Sequence, residues 1–556
     1  MTQNTPPIGV LLKPFFALVR ARQPSLPPAG YISWCVGVMG CMVLLTASSY
    51  AQLIDNTLST NTANGGINKS LADQAGPGRG DKMMPNSSMF VIQRDPFRAI
   101  RRGRQLFQRK FTRKDGQGPL TADGAGQVET ELIIGAGLAD SCAACHGRPR
   151  GSAGFGGDVA TRPDSRDAPH LFGLGLKEML ADEITADLRK LRDMASLEAV
   201  STGQNVVREL VSKGTNFGTI TADRHGGFST SGVRGVDPDL RVRPFFFHGG
   251  TISIREFIVG ALNAEMGLQA VDGDLAIASS GAKVTTPSGM VLDGSLDDIE
   301  EPPVRPDAYP SPDPDRDGVI NEIPESIVDH LEFYLLNYFK PGLYEQTTKT
   351  AMGRQLMDTV GCTSCHVADL EIQRDRRVAD VETVYDPDYG HFNHLFATAT
   401  ALYTERNDRS GFPTRKIPQM QPFLVQNIFT DFKRHDLGPD FYEREYNGTY
   451  RKEFLTTPLW GVGSTAPYGH DGRSINLTEV ILRHGGEARQ SRDSFAALGD
   501  AEKDAVLAFL SSLVVFPPDD TASNLDPGDT SHADYPQYGH GSIKLGALFN
   551  DPSDVE

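Results

Sequence analysis

The chain is poor in cysteine and tryptophan, with six and two respectively in 556 residues. Cys35 and Cys41 lie in an apolar N-terminal stretch, and the other four form two Cys-x-x-Cys pairs. None is left over, which excludes a disulfide-stapled scaffold. Positive charge is short as well: 54 Lys and Arg against 71 Asp and Glu, net −17. That excludes the basic footprint of a nucleic-acid binder. Beyond residue 51 no apolar run is long enough to span a bilayer. Strand-like alternation is sparse, so the chain reads as mainly α.

The N-terminus has the layout of an export signal. Lys13, Arg20 and Arg22 precede the 17-residue apolar run Tyr31–Ala47, and Ser49-Tyr50-Ala51 supplies a small-x-small cleavage site. The expectation is a signal peptide over 1–51 and a periplasmic or otherwise extracytoplasmic protein. The leader is long for a signal, so the alternative is an uncleaved anchor holding the protein at a membrane.

Two motifs carry chemistry: Cys142-Ala-Ala-Cys145-His146 and Cys362-Thr-Ser-Cys365-His366. C-x-x-C-H is the attachment sequence of a c-type haem: both thiols form thioethers and the His binds iron. A redox disulfide or a four-cysteine zinc site would explain the thiols. Neither explains the His after each pair, and the pairs stand 220 residues apart. Two covalent haems c are expected.

Weak internal similarity points to a duplication. Gly103-Arg104-Gln105-Leu106 recurs as Gly353-Arg354-Gln355-Leu356, ahead of each motif. Phe247-His248-Gly249-Gly250 pairs with Gly469-His470-Asp471-Gly472, whose His residues fall 102 and 104 positions after His146 and His366. A capping box follows each, Ser253-x-x-Glu256 and Asn476-x-x-Glu479. The first helix should stop at Gly267 and the second at Gly485-Gly486. A last helix is expected over 501–513, capped by Asp500. The expected architecture is two cytochrome c-like haem domains with long loops: a flexible lead-in over 52–95, the first domain over 96–300, a connector over 301–345, the second domain over 346–517 and an extended tail over 518–556. In the connector, Asp313, Asp315 and Asp317, the carbonyl of Val319, and Asn321 follow the start of a calcium loop, with Gly318 permitting the turn. The usual twelfth-position Glu is absent, because Pro324 sits there; Glu322 or Glu325 could substitute.

These segments, with Thr430–Gly438 and Thr457-Pro458-Leu459-Trp460-Gly461, resemble the di-haem oxidoreductases of peroxidase type. More distantly they resemble bacterial di-haem cytochrome c peroxidase and MauG. The resemblance covers roughly residues 95–515. It implies that Asn263-Ala264-Glu265-Met266-Gly267 ends the helix of the peroxidatic half and that Glu265 is its acid–base residue. It also implies that His484, fourteen residues after His470, is the second ligand of the haem at His366. That family position usually holds Met, and imidazole there gives a lower potential. His435 and His470 match positions that hydrogen-bond near this haem. The distal His of the first haem is missing ahead of Arg166-Asp167-Ala168-Pro169-His170-Leu171. The sixth position at His146 is therefore open, or taken by His170 or Met266, with His225 and His248 as weaker candidates. The Trp usual between the two haems is also missing from the Phe247-His248 segment, which leaves Trp460 a packing role near the second haem.

The expected function is an exported di-haem peroxidase. A small redox protein would reduce the haem at His366, and hydrogen peroxide would react at the haem of His146. Alternatives are a MauG-like or oxygenase-type oxidation of a protein or organic substrate with peroxide or O2, and a non-catalytic electron-transfer cytochrome.

Overall fold

Most helices begin where the chain supplies an acceptor for the open amides of the first turn. Ser70 caps α1 (Leu71–Ala75), Ser87 caps α2 (Ser88–Arg94), and Asp95 caps α3 (Pro96–Gln108), where Pro96 needs no N–H. Ser141 caps α4 (Cys142–His146). The long α5 (Leu174–Thr202) is bounded by Gly173 and Gly203, both at positive φ. In α6 (Ile254–Met266), Ser253 Oγ accepts from the Glu256 amide at 3.1 Å, while the Ile252 amide donates to Glu256 Oε2 at 3.2 Å. The helix stops at Gly267, φ 66°. Then follow α7 (Gly273–Ser279), α8 (Glu325–Asn337), α9 (Thr348–Thr359), α10 (Leu477–Arg483), α11 (Arg489–Ala496) and α12 (Asp500–Ser511). Asn476 caps α10. The last helix starts one residue earlier than expected, with Gly499 rather than Asp500 at the cap position.

The computed structural model describes residues 70–118, 139–147, 152–155, 158–159, 166–307, 313, 317–388, 395–445 and 447–515. The expected signal or anchor (1–51), the tail (518–556) and Asp315 lie outside them. No helix among the described residues is long and apolar enough to cross a membrane.

The fold class is mixed, not mainly α: 37% helix and 19% strand. The strands form small antiparallel sheets. Residues 206–212, 215–222 and 228–229 make one of three strands, and 379–385 pairs with 395–401. Ala379, Val381 and Thr383 are buried, while Asp380 and Glu382 between them are half-buried. This is a period-two pattern only a few residues long, and most of the other ribbons are shorter still. Such signals disappear among loop residues, which is why sequence reading missed them.

The repeated Gly-Arg-Gln-Leu has a shared structural meaning. A Cβ on Gly103 of α3 would stand 2.3 Å from the His330 carbonyl of α8, and one on Gly353 of α9 would stand 2.0 Å from the Ala505 carbonyl of α12. In each half the helix ahead of the motif crosses a later helix backbone to backbone, which only glycine permits. So α8, counted in sequence with the connector, is the counterpart of α12. It is buried along its whole length within the main core, while Met357, Phe429, Phe495, Phe509 and neighbours form a second core around α9 and α12.

A buried ionic cluster ties the first half together. Arg255 of α6 is fully buried. Its Nε donates to Asp272 Oδ1 (3.0 Å), and its Nη1 to Asp329 Oδ1 and Glu332 Oε2 (both 3.1 Å). Arg79 adds bonds to Asp274 (2.7 Å), Glu325 (2.8 Å) and Asp329 (2.6 Å). This corrects the flexible lead-in: from Ser70 onward the segment is helical, Val91 and Ile92 join the core, and Arg79 plugs the cluster. Its polar composition suits that role. Burial pushes the Glu332 carboxyl up to about 7, against the pull of Arg255.

Arg255→Met leaves several buried carboxylates without their cation. The expected loss is ~3–5 kcal/mol of unfolding free energy, read by urea titration; an unchanged midpoint would show that the cluster is incidental.

Candidate haem site

The first motif forms the single turn of α4, and the second a 3₁₀ turn, Cys362–Ser364, just after α9. Both face one cavity of about 540 Å³ with largely apolar walls, including Phe245, Phe257, Phe432 and Phe454. The four thiols are unpaired. Burial pushes Cys142 up to about 12 and Cys362 up to about 11. These are neutral thiols facing a largely apolar chamber.

Three imidazoles share one arrangement. Nδ1 of His146 donates to the Pro169 carbonyl (2.7 Å), Nδ1 of His366 to that of Phe429 (3.1 Å), and Nδ1 of His484 to that of Val480 (2.6 Å). A backbone carbonyl on one ring nitrogen fixes the tautomer and leaves Nε2 as a lone pair for a metal. Burial depresses all three, His146 and His484 to about 4, so the rings are neutral as ligation requires. After burial and the Val480 bond, His484 is also influenced by His366, so the two rings lie near one another in the wall of the same cavity. Free thiols, neutral imidazoles and apolar walls fit two covalently held haems. Iron would be held by His146 on one side and by His366 with His484 on the other.

The other candidates separate clearly. Both ring nitrogens of His170 are occupied: Nε2 donates to the Trp460 carbonyl (2.7 Å), and Nδ1 accepts from the Phe172 amide (3.3 Å). His170 is a strut between segments and offers no nitrogen to iron. His225 is exposed and bonded by Arg224. His248 stacks on Phe246 (5.9 Å between centroids). Met266 is buried and lines the cavity, as does Glu265, whose charge reaches Cys145 after the larger effect of burial on that thiol.

Around the second motif the ligand segment is clasped. His435 lies between Asp431 (2.9 Å) and Glu487 (2.8 Å), and the Gly485 amide donates to the Leu437 carbonyl (2.8 Å). Burial would lower the His435 pKa, but the Asp431 bond and charge, with help from Cys365, push it up to about 11. Asp431, His435 and Cys365 also lie close enough to suggest a metal group; a thioether at Cys365 would remove that option. His470 stacks on Phe454 at 4.2 Å and meets Phe247 of the equivalent first-half segment at 6.0 Å. Arg483 joins Asp471 to the carbonyl of Asp440.

Some residues were placed differently, or not at all, by sequence reading. Trp460 is not confined to the second motif: its ring packs on Gly173 and its carbonyl takes His170 of the first half. Lys177, in the cavity wall, was not foreseen; a lysine inside the apolar first turn of α5 was the available signal. In the connector, Asp313 Oδ2 accepts from the Gly318 amide (3.1 Å) and Asp317 Oδ1 from the Val319 amide (2.7 Å). Asp313 Oδ1 is buried with no hydrogen-bond donor among the described residues, which fits a calcium ligand. Glu322 and Glu325, the two substitutes, bond the Gln269 amide and Arg79 instead.

Motifs and cavity define the class, a haem oxidoreductase. Residues 408–513 match the family described as "Di-haem oxidoreductase, putative peroxidase", and this segment holds Trp460, His470, His484 and the clasp. No curated protein matches. Among solved structures, the chain is similar to hydrazine synthase of Kuenenia stuttgartiensis, in a form pressurised with xenon. Identity is 16% and the TM-score 0.21, over 34% of this chain and 56% of that one, so the match spans little more than half of that chain.

Because the folded pKa of His435 is raised, the clasp stabilises fully below about pH 6.5, the unfolded value. Its contribution declines as pH rises above that value toward the raised folded one. The stability difference between wild type and His435→Gln should therefore be greatest near pH 6 and shrink by pH 10 in denaturant titrations; a difference growing with pH would contradict this assignment.

Proposed function

We propose that the protein is an exported di-haem c peroxidase, reducing hydrogen peroxide with electrons from a small redox protein. The observation that carries this reading is the single cavity with two unequal ends. At one end His366 and His484 both present Nε2, as a closed relay needs. At the other, His146 stands with Glu265 near Cys145, and His170 is unavailable as a ligand. Each turnover adds two electrons and two protons to hydrogen peroxide and yields two waters. Bound haem supplies the iron through which those electrons pass. Glu265 takes a proton from one peroxide oxygen and returns it to the departing one. The Phe-rich walls exclude water around the transfer, and the Pro169 and Phe429 carbonyls keep His146 and His366 in their ligating tautomers. Calcium at Asp313, Asp317, Val319 and Asn321, with Asp315, is part of this proposal, and so is export through residues 1–51.

The haem-loaded protein is expected to oxidise a reduced small cytochrome on addition of peroxide, with Glu265→Gln losing ~10²–10⁴-fold in turnover, the range for general acid–base groups. Full turnover in that variant would remove Glu265 from the mechanism. A resting electron paramagnetic resonance spectrum with both irons low-spin and six-coordinate, and no peroxide turnover, would favour the electron-transfer cytochrome instead.

A further inference from the structure

The N-terminus of α5 gathers hydrogen-bond donors without acceptors. Lys177, in the first turn, extends its ammonium into the cavity wall 5.6 Å from the centroid of the Phe245 ring. No carboxylate or other acceptor reaches it among the described residues: burial alone acts on its acidity, pushing it down to about 8. Elsewhere the chain pairs its buried cations, as at Arg94, Arg241, Arg255 and Arg377. The backbone amides of Leu174, Gly175 and Leu176 likewise have no acceptor among the described residues, because Gly173 offers no capping side chain. Trp460, only 3% exposed, packs its ring on Gly173, and its indole Nε1 is buried without an acceptor. An ammonium thus stands at the positive end of a 29-residue helix, with the benzo edge of the Trp460 ring against the glycine that precedes it. A buried ammonium and unpaired donors are unfavourable unless an anion meets them.

We infer that the first turn of α5, with Lys177 and Trp460, is a binding site for a carboxylate at the His146 end of the cavity. Two sources have that chemistry: a propionate of the haem joined to Cys142 and Cys145, or the carboxylate of an apolar organic substrate. The first source rests on the haem reading of that motif. The ammonium and the open amides of the first turn donate to the carboxylate and neutralise it, and the Trp460 ring walls the site beside Gly173. Since Trp460 also holds His170, whose neighbour Pro169 holds His146, the site is mechanically joined to the proximal imidazole.

The test uses the full chain with haem attachment counted by intact mass, so failure of the haem reading shows separately as missing mass. If the propionate is the ligand, Lys177→Met lowers the midpoint of the first haem, because a cation that stabilised the added electron is gone. The expected change is about tenfold in the reduction equilibrium, about 59 mV for one electron, and Lys177→Arg restores it. If a substrate carboxylate is the ligand, dodecanoate binds the wild type at least tenfold more tightly than Lys177→Met, and the midpoint without dodecanoate does not move. Lys177→Gln, neutral but polar, is measured in parallel in case Met disturbs folding. Unchanged midpoint and unchanged dodecanoate binding in either neutral variant overturn the inference. If mass shows no haem at Cys142 and Cys145, dodecanoate binding alone decides it.

Discussion

The guanidinium of Arg255 is the constraint on which the first half depends. It projects from α6, the helix that ends in Glu265 and Met266, and bonds carboxylates at the start of α7 and along α8. A guanidinium so enclosed is tolerable only when carboxylates surround it, so these helices are tied together through it. Arg79 closes the same cluster from a segment nearly two hundred residues away in sequence, and Ser88 adds a bond to Asp329 (2.5 Å). The position of Glu265 at the cavity follows from this packing as much as from its own helix.

The cavity is organised by backbone carbonyls rather than by side chains. One carbonyl fixes each of His146, His366 and His484, and a further one, from Trp460, occupies His170. A carbonyl cannot change charge, so it fixes the orientation of each ring, while burial keeps His146 and His484 neutral down to about pH 4. His435 is the contrast. Asp431 favours its cationic form, and the clasp it makes with Glu487 holds the turn after His484 against the strand at Arg434–Asp436. The cavity is thus built on two principles, fixed tautomers at the candidate iron ligands and an ionic clasp beside His366 and His484.

Much of the local structure was legible in the sequence. The Ser253 and Asn476 caps, the stop at Gly267 and the turn at Gly318 follow from single residues with strong backbone preferences. The repeated Gly-Arg-Gln-Leu was legible as a repeat, but its meaning as a backbone crossing was not, since the partner carbonyls at His330 and Ala505 lie far along the chain. The small sheets were missed because their alternation runs for only a few residues. The ordered segment from Ser70 was missed because Arg79 and Ser88 look like surface residues until their buried partners are known.

By itself the sequence carried the expectation of haem attachment, since each C-x-x-C-H unit places two thiols and an imidazole within five residues whatever the fold. Only the tertiary structure decided that both motifs open on one cavity and that His170 is a strut. The same holds for Lys177 and Trp460 standing unpaired at the head of α5. Those facts depend on which hydrogen-bond acceptors arrive from remote segments, and a donor's partner across the fold leaves no mark on its own neighbours in the chain.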